Sequence, residues 1–175
     1  MSDPGDDGFE AYRVPLEEWH PAKIADRVLR MPEHAHLVEG EATIDWLMRR
    51  TPKVRAGRQI IGTAYQPMVK GDLSEVFDWM LVRLLGRMPE FLIVLDEEWW
   101  LEAGEREREI LVFHELSHCI QKLDAFGTPK FNKDGIPVWG LRGHDVEEFT
   151  SVVARYGAWN DDIRRFMAAA EGSGL

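Results

Sequence analysis

Residues 111–120 read LVFHELSHCI, and no other stretch constrains the chain as strongly. Leu111, Val112, Phe113, Leu116 and Ile120 are fit for a buried helix, yet His114, Glu115 and His118 sit among them. On a helix, residues four apart stack on one face, one turn above the other, so His114 and His118 point the same way. Glu115 follows the first histidine by ~100° and lies beside that face rather than on it. Three polar side chains can simply coat a helix. In apolar surroundings, however, two imidazoles and a carboxylate left without partners cost a few kcal/mol. A metal ion is the partner that answers this, because both imidazoles can offer a nitrogen to one cation.

The spacing is H-E-x-x-H, in which two helical histidines bind zinc and the glutamate serves as general base. Glu115 can take a proton from a water that the cation has acidified toward neutral pH. A catalytic zinc usually has three protein ligands and keeps a fourth position open. GHDVEEF, residues 143–149, offers His144, Asp145, Glu147 and Glu148 for the third. Imidazole suits zinc, and His144 opens an expected helix from which its ring can swing toward the motif, so His144 is favoured. At ~100° per residue, Glu147 falls nearly opposite the apolar stripe of that helix and should face water. Glu148 lies nearer the stripe and is the rival carboxylate ligand. Asp145 suits helix capping, or the orienting of a ligand ring.

The 175 residues suit one domain with a real core, and 45% hydrophobic content with seven tryptophans argues for a folded globule. Residues 1–10 read as a flexible acidic tail, 11–170 as the single domain and 171–175 as a frayed end. A net charge of -10 opposes general attraction to nucleic acid or anionic lipid. The basic cluster Arg49, Arg50, Lys53, Arg55 and Arg58 reads as a solvated loop. No basic region leads into an apolar core as in a signal peptide, and no apolar run approaches the ~18 residues needed to cross a bilayer. Cys119 is the only cysteine, so no disulfide can form within the chain; a cytoplasmic setting fits best.

Helical spacing predicts short helices over residues 21–30 and 42–50, the second ended by Thr51-Pro52. RQIIGTAYQ, 58–66, reads as a strand. A helix is expected over 73–85, with Val76, Phe77, Met80, Leu81 and Leu84 as its apolar stripe and Gly86 closing it. FLIVLD, 91–96, is the clearest strand, apolar enough for burial on both faces. A turn of helix is expected over 97–101. The motif helix should begin after Gly104 with acidic residues in its first turn and run to Phe126, ended by Gly127-Thr128-Pro129. Asp134-Gly135 marks a hairpin-like turn. A last helix is expected over 144–157, with Val146, Phe149, Val152, Val153 and Tyr156 along one side, and 168–175 fraying.

The other polar and aromatic candidates carry weaker signals. His34 and His36, two apart, suit a strand or loop metal pair less well than surface or capping roles, and His20 shows no pattern. Cys119 points away from the ligand face and reads as core. Tyr156 could reach an oxyanion, but its place on an apolar stripe favours a core role. Trp99 and Trp100 could wall a groove, though packing is the plainer reading.

HELSH followed by GHDVEEF resembles the phage metallopeptidase family, over about residues 40–158 and including FLIVLDEEWW. It is similar, more distantly, to the SprT-like (Spartan-type) metalloproteases over the two helices and the strand order before them. The resemblance implies zinc held by His114, His118 and His144, with Glu115 as general base. Unlike the SprT-like group, the chain has no cysteine-rich zinc module and no strongly basic tail, so recruitment to DNA is not implied. The expected architecture is α+β: a single zincin-like (SprT-like) domain whose small sheet, including 58–66 and 91–96, packs on the HExxH helix, with a following helix supplying the third ligand. The expected activity is hydrolysis of protein or peptide substrates by a zinc metallopeptidase. The alternative is a non-catalytic domain that keeps zinc for structure or partner binding, closed by a fourth ligand such as Glu148 or Asp145. Specificity, oligomeric state and phage or host origin are not written in these residues.

Overall fold

The computed structural model describes residues 11–148 and 150–172. The tail expected at 1–10, Phe149 of the expected last helix and residues 173–175 lie outside the described residues. Elements follow in the order β1 (Tyr12–Arg13), α1 (Ala22–Val28), α2 (Ala35–Glu39), β2 (Ile44–Arg49), β3 (Val54–Arg55), β4 (Arg58–Gln59) and β5 (Gly62–Tyr65). Then come α3 (Ser74–Leu85), β6 (Phe91–Asp96), α4 (Glu97–Glu102), α5 (Glu105–His118), β7 (Cys119–Gln121), β8 (Trp139–Leu141), α6 (Thr150–Tyr156) and α7 (Asp161–Gly172). The architecture is mixed α+β. No helix among the described residues is long and apolar enough to cross a membrane.

The main sheet has the order β1-β2-β6-β5. β2 and β6 run parallel, from Ile44 opposite Phe91 to Arg49 opposite Asp96. Parallel neighbours require a crossover, and the chain between them includes α3. All six residues of β6 are buried, as its apolar run requires. Their side chains alternate between two clusters. Phe91, Ile93 and Leu95 join Trp46 and Met48 of β2 and Leu111, Val112 and Leu116 of α5 in the main core. Leu92 and Val94 face the other way and meet Leu47 and Leu81.

Residues 42–50 do not form the expected helix; 44–49 are strand β2. Ile44, Leu47 and Met48 fit helical spacing, but Trp46 completes an apolar run that is buried only when it pairs with β6, and tertiary pairing overrides a short local pattern. The expected strand at 58–66 is divided. Arg58–Gln59 closes a small hairpin with β3, and Gly62–Tyr65 pairs antiparallel with β6 at the sheet's edge. Arg49 also departs from expectation: it is a buried strand residue whose guanidinium meets Asp96 at 3.1 Å, not part of a solvated basic loop.

Helix α3 ends at Gly86 in the left-handed region, φ 80°, which glycine adopts without steric cost. Helix α5 opens as expected, the Glu107 carboxylate accepting from the Gly104 N–H at 2.8 Å. It stops at His118, well short of Phe126. Cys119 turns extended, φ -82° and ψ 114°, and β7 pairs with β8 from Cys119–Leu141 to Gln121–Trp139. The expected turn at Asp134-Gly135 lies between these strands: the Asn132 side chain accepts from the N–H groups of Asp134 and Ile136.

A compact unit ends at Arg142 and a second begins at Gly143. In the second, the helix expected over 144–157 forms only over Thr150–Tyr156, so His144 lies in a loop. A further helix, α7, covers 161–172, where acidic Asp161 and Asp162 suit the positive end of the dipole. Tyr156 is 66% exposed rather than core.

Candidate metal centre

His114 and His118 stand one turn apart on α5, with ring centroids 5.0 Å from each other and planes at 82°. The end of the helix is closed by Arg142. Its backbone N–H donates to the His118 carbonyl at 2.9 Å, and its guanidinium to the Ser117 carbonyl at 2.7 Å. These are C-terminal carbonyls that the helix itself leaves unsatisfied. The Arg142 carbonyl in turn lies 2.8 Å from Nδ1 of His118. A carbonyl can only accept, so Nδ1 carries the hydrogen and Nε2 presents its lone pair, the arrangement common for metal-ligating histidines.

The β7–β8 hairpin therefore returns the chain to the end of the motif helix. His144 lies two residues past Arg142, a span of at most ~7 Å. One nitrogen from each of His114, His118 and His144 falls in a cluster whose atoms all lie within 4.8 Å of one another. Three imidazoles are a donor set that suits zinc.

Glu115 faces the sheet, not the solvent, and is only 3% exposed. Its carboxylate lies against Gly62 of the edge strand β5 so closely that a Cβ there would collide with it. The Ala64 N–H donates to the carboxylate, while Oε2 has no hydrogen-bond partner among the described residues. Burial raises the pKa to about 7, and the Ala64 hydrogen bond only partly opposes this. The position is thus beside the histidines' face, as the ~100° rotation from His114 requires. An orphaned, buried carboxylate oxygen one residue from a histidine cluster fits a site that takes a cation and a polar substrate.

Sequence reasoning did not single out Gly62, Ala64 or Arg142. A signal for Gly62 was present: glycine within a strand pattern marks a close backbone approach. Arg142 had none, because its role depends on where the hairpin returns the chain.

The other candidates separate plainly. His34 is not a surface histidine: it stands at the N-cap of α2 without a side-chain capping bond, is 1% exposed, lies edge-on to Phe113 at 4.6 Å, and burial lowers its pKa. His36 Nε2 lies 2.9 Å from the Cys119 carbonyl, to which it donates. His20 Nδ1 accepts from the Ala22 N–H at 3.1 Å, at the start of α1. Cys119 is buried, and burial pushes its thiol up to about 12, which leaves it a small core hydrophobe. Trp100 is core, its indole N–H donating to the Trp19 carbonyl at 2.9 Å, and Trp99 packs against the same cluster. In the second unit, Glu148 Oε2 accepts from the Trp159 indole N–H at 3.1 Å.

The model of one protein family, described as "Putative phage metallopeptidase", matches residues 16–171, nearly the whole chain. Neither the curated proteins nor the solved structures gave a match.

Proposed function

We propose that this chain, which belongs to the phage metallopeptidase family, is a zinc-dependent peptidase in which His114, His118 and His144 hold the ion and Glu115 is the general base. The observation that carries the reading is the Glu115 carboxylate, buried against the edge strand with Oε2 unpaired among the described residues. A purely structural polar group so placed is normally fully hydrogen-bonded. A carboxyl group whose burial brings its pKa to about 7 is instead suited to gaining and losing a proton at working pH.

The imidazoles of His114, His118 and His144 would hold the zinc, which when bound would supply Lewis acidity to a water and a carbonyl. Glu115 takes the proton of the attacking water and passes it to the leaving amine as the peptide bond breaks. The Arg142 carbonyl fixes the His118 tautomer, and the Ala64 N–H with the bare surface of Gly62 fixes the Glu115 rotamer. What supports a zincin-like reading is that the motif helix packs on a small sheet whose edge strand β5 lies beside the proposed base. The substrate class is protein or peptide.

His144 is preferred to Glu148 because the Trp159 indole already engages the Glu148 carboxylate. A non-catalytic zinc domain would need a fourth protein ligand and would leave the buried Glu115 without a role.

Metal analysis of the purified protein, with casein or peptide digestion in the presence and absence of chelator, tests the reading. Glu115→Gln should retain zinc and lose at least ~10²-fold in turnover. Intact turnover in that variant overturns the assignment of the base. His144→Ala should lower zinc occupancy. Unchanged occupancy there, with loss in Glu148→Ala, moves the third ligand to Glu148.

A further inference from the structure

Helix α3 is apolar on two sides, and only one is covered. Phe77, Leu81 and Leu85 face the sheet, where they meet Leu47, Leu92 and Val94. The adjoining outer side carries Leu73, Val76, Met80 and Leu84 with Trp79 at its margin, all between 50% and 67% exposed. At ~100° per residue these five share a sector of roughly 140°, which also holds the exposed Arg83 near the helix end. An exposed apolar patch on a helix surface marks an interaction site.

Charge indicates what covers it. The chain's net charge of -10 makes two copies repel at large. Along α3, however, the charges are sorted by sign. Asp72 and Glu75 flank the apolar stripe where it begins, Arg83 and Arg87 where it ends, and all four are exposed. Arg87 also pairs with Asp45 at 2.7 Å. A two-fold axis through Trp79 and Met80 lays a second α3 antiparallel to the first. Each acidic end then meets the partner's basic end, with Glu75 beside the other copy's Arg83, and the symmetry makes this pairing twice. A parallel pair would bring like charges together. We infer that the outer face of α3 is an isologous homodimer interface, an antiparallel helix pair centred on Trp79 and Met80.

A helix of 12 residues is ~18 Å long, so the contact falls at the small end of specific interfaces and the dimer should be weak, dissociating in the micromolar range. The test is the mass of the full chain by sedimentation or light scattering, from low to high micromolar concentration, with circular dichroism as the check on folding. The wild type should pass from one to twice the chain mass, and Met80→Glu should stay monomeric throughout. Glu75→Arg and Arg83→Glu should each weaken association at least tenfold. Combining them should restore it, because the exchanged charges are again complementary. A wild type that stays monomeric, a Met80→Glu variant that dimerises normally, or a double variant as weak as the singles would each overturn the inference. A foreign partner or general stickiness predicts the last of these.

Discussion

Helices α3 and α5 lie on opposite faces of the same sheet and invert the usual relation between polarity and burial. α3 is rich in apolar residues, yet Leu81 is its one buried residue. α5 is the more polar helix and buries Leu111, Val112, Glu115 and Leu116. An apolar surplus left in water on one face and a carboxylate taken out of water on the other both run against the hydrophobic effect. The inferred second copy would cover the first, and the cation proposed above, with its water, would answer the second. The contrast also shows that hydrophobicity states how much surface wants cover but not which element obtains it.

The sharpest way to break this comparison is to truncate one residue on each helix. Leu116→Ala removes a fully buried side chain and should destabilise the fold by about 2–5 kcal/mol, read from urea midpoints. Val76→Ala on the outer face of α3 should change stability by less than about 0.5 kcal/mol at monomeric concentration. Equal costs would mean that the outer face of α3 is covered within the monomer.

The next effect is electrostatic. Glu115 has its folded pKa raised from its ordinary value of 4.5 to about 7, because burial disfavours the charged form. Its stabilising contribution in metal-stripped protein is fully present below about pH 4.5 and is lost as pH rises through about 7. The loss is on the order of 3 kcal/mol. Glu115→Gln should flatten that slope in chelated protein, and added zinc should offset it in the wild type. If the chelated wild type and Glu115→Gln had parallel stability profiles from pH 5 to pH 8, the carboxylate would not be buried as described.

Gly62→Ala is the subtler probe. Its new Cβ would overlap the Glu115 carboxylate, and relieving that overlap should cost about 1–3 kcal/mol. Alanine at Gly143, where a Cβ would meet nothing within 4 Å, serves as the control.

The placement of His114 and His118 was legible because the HExxH spacing puts two imidazoles on one helical face whatever the surroundings. β6 was legible for a similar reason: six apolar residues in a row need cover on both sides. Residues 42–50 were misread because an apolar triplet at 44, 47 and 48 satisfies a helix and a strand equally, and the parallel partner that decides lies more than forty positions away. The end of α5 was misplaced because what terminates it, pairing with β8 and the Arg142 contacts, lies more than twenty positions further along the chain. The loop position of His144 was missed for want of any local signal against a helix there.

By itself the sequence determined that a helix would carry His114 and His118 in register with a glutamate beside them, because helical geometry needs only local rotation. Only the tertiary structure decided that Glu115 would lose its water, that Gly62 would be the surface it rests on, and that one side of α3 would remain exposed. Those outcomes depend on which surfaces meet. Desolvation and packing are properties of assembled neighbours, which no single stretch of chain contains.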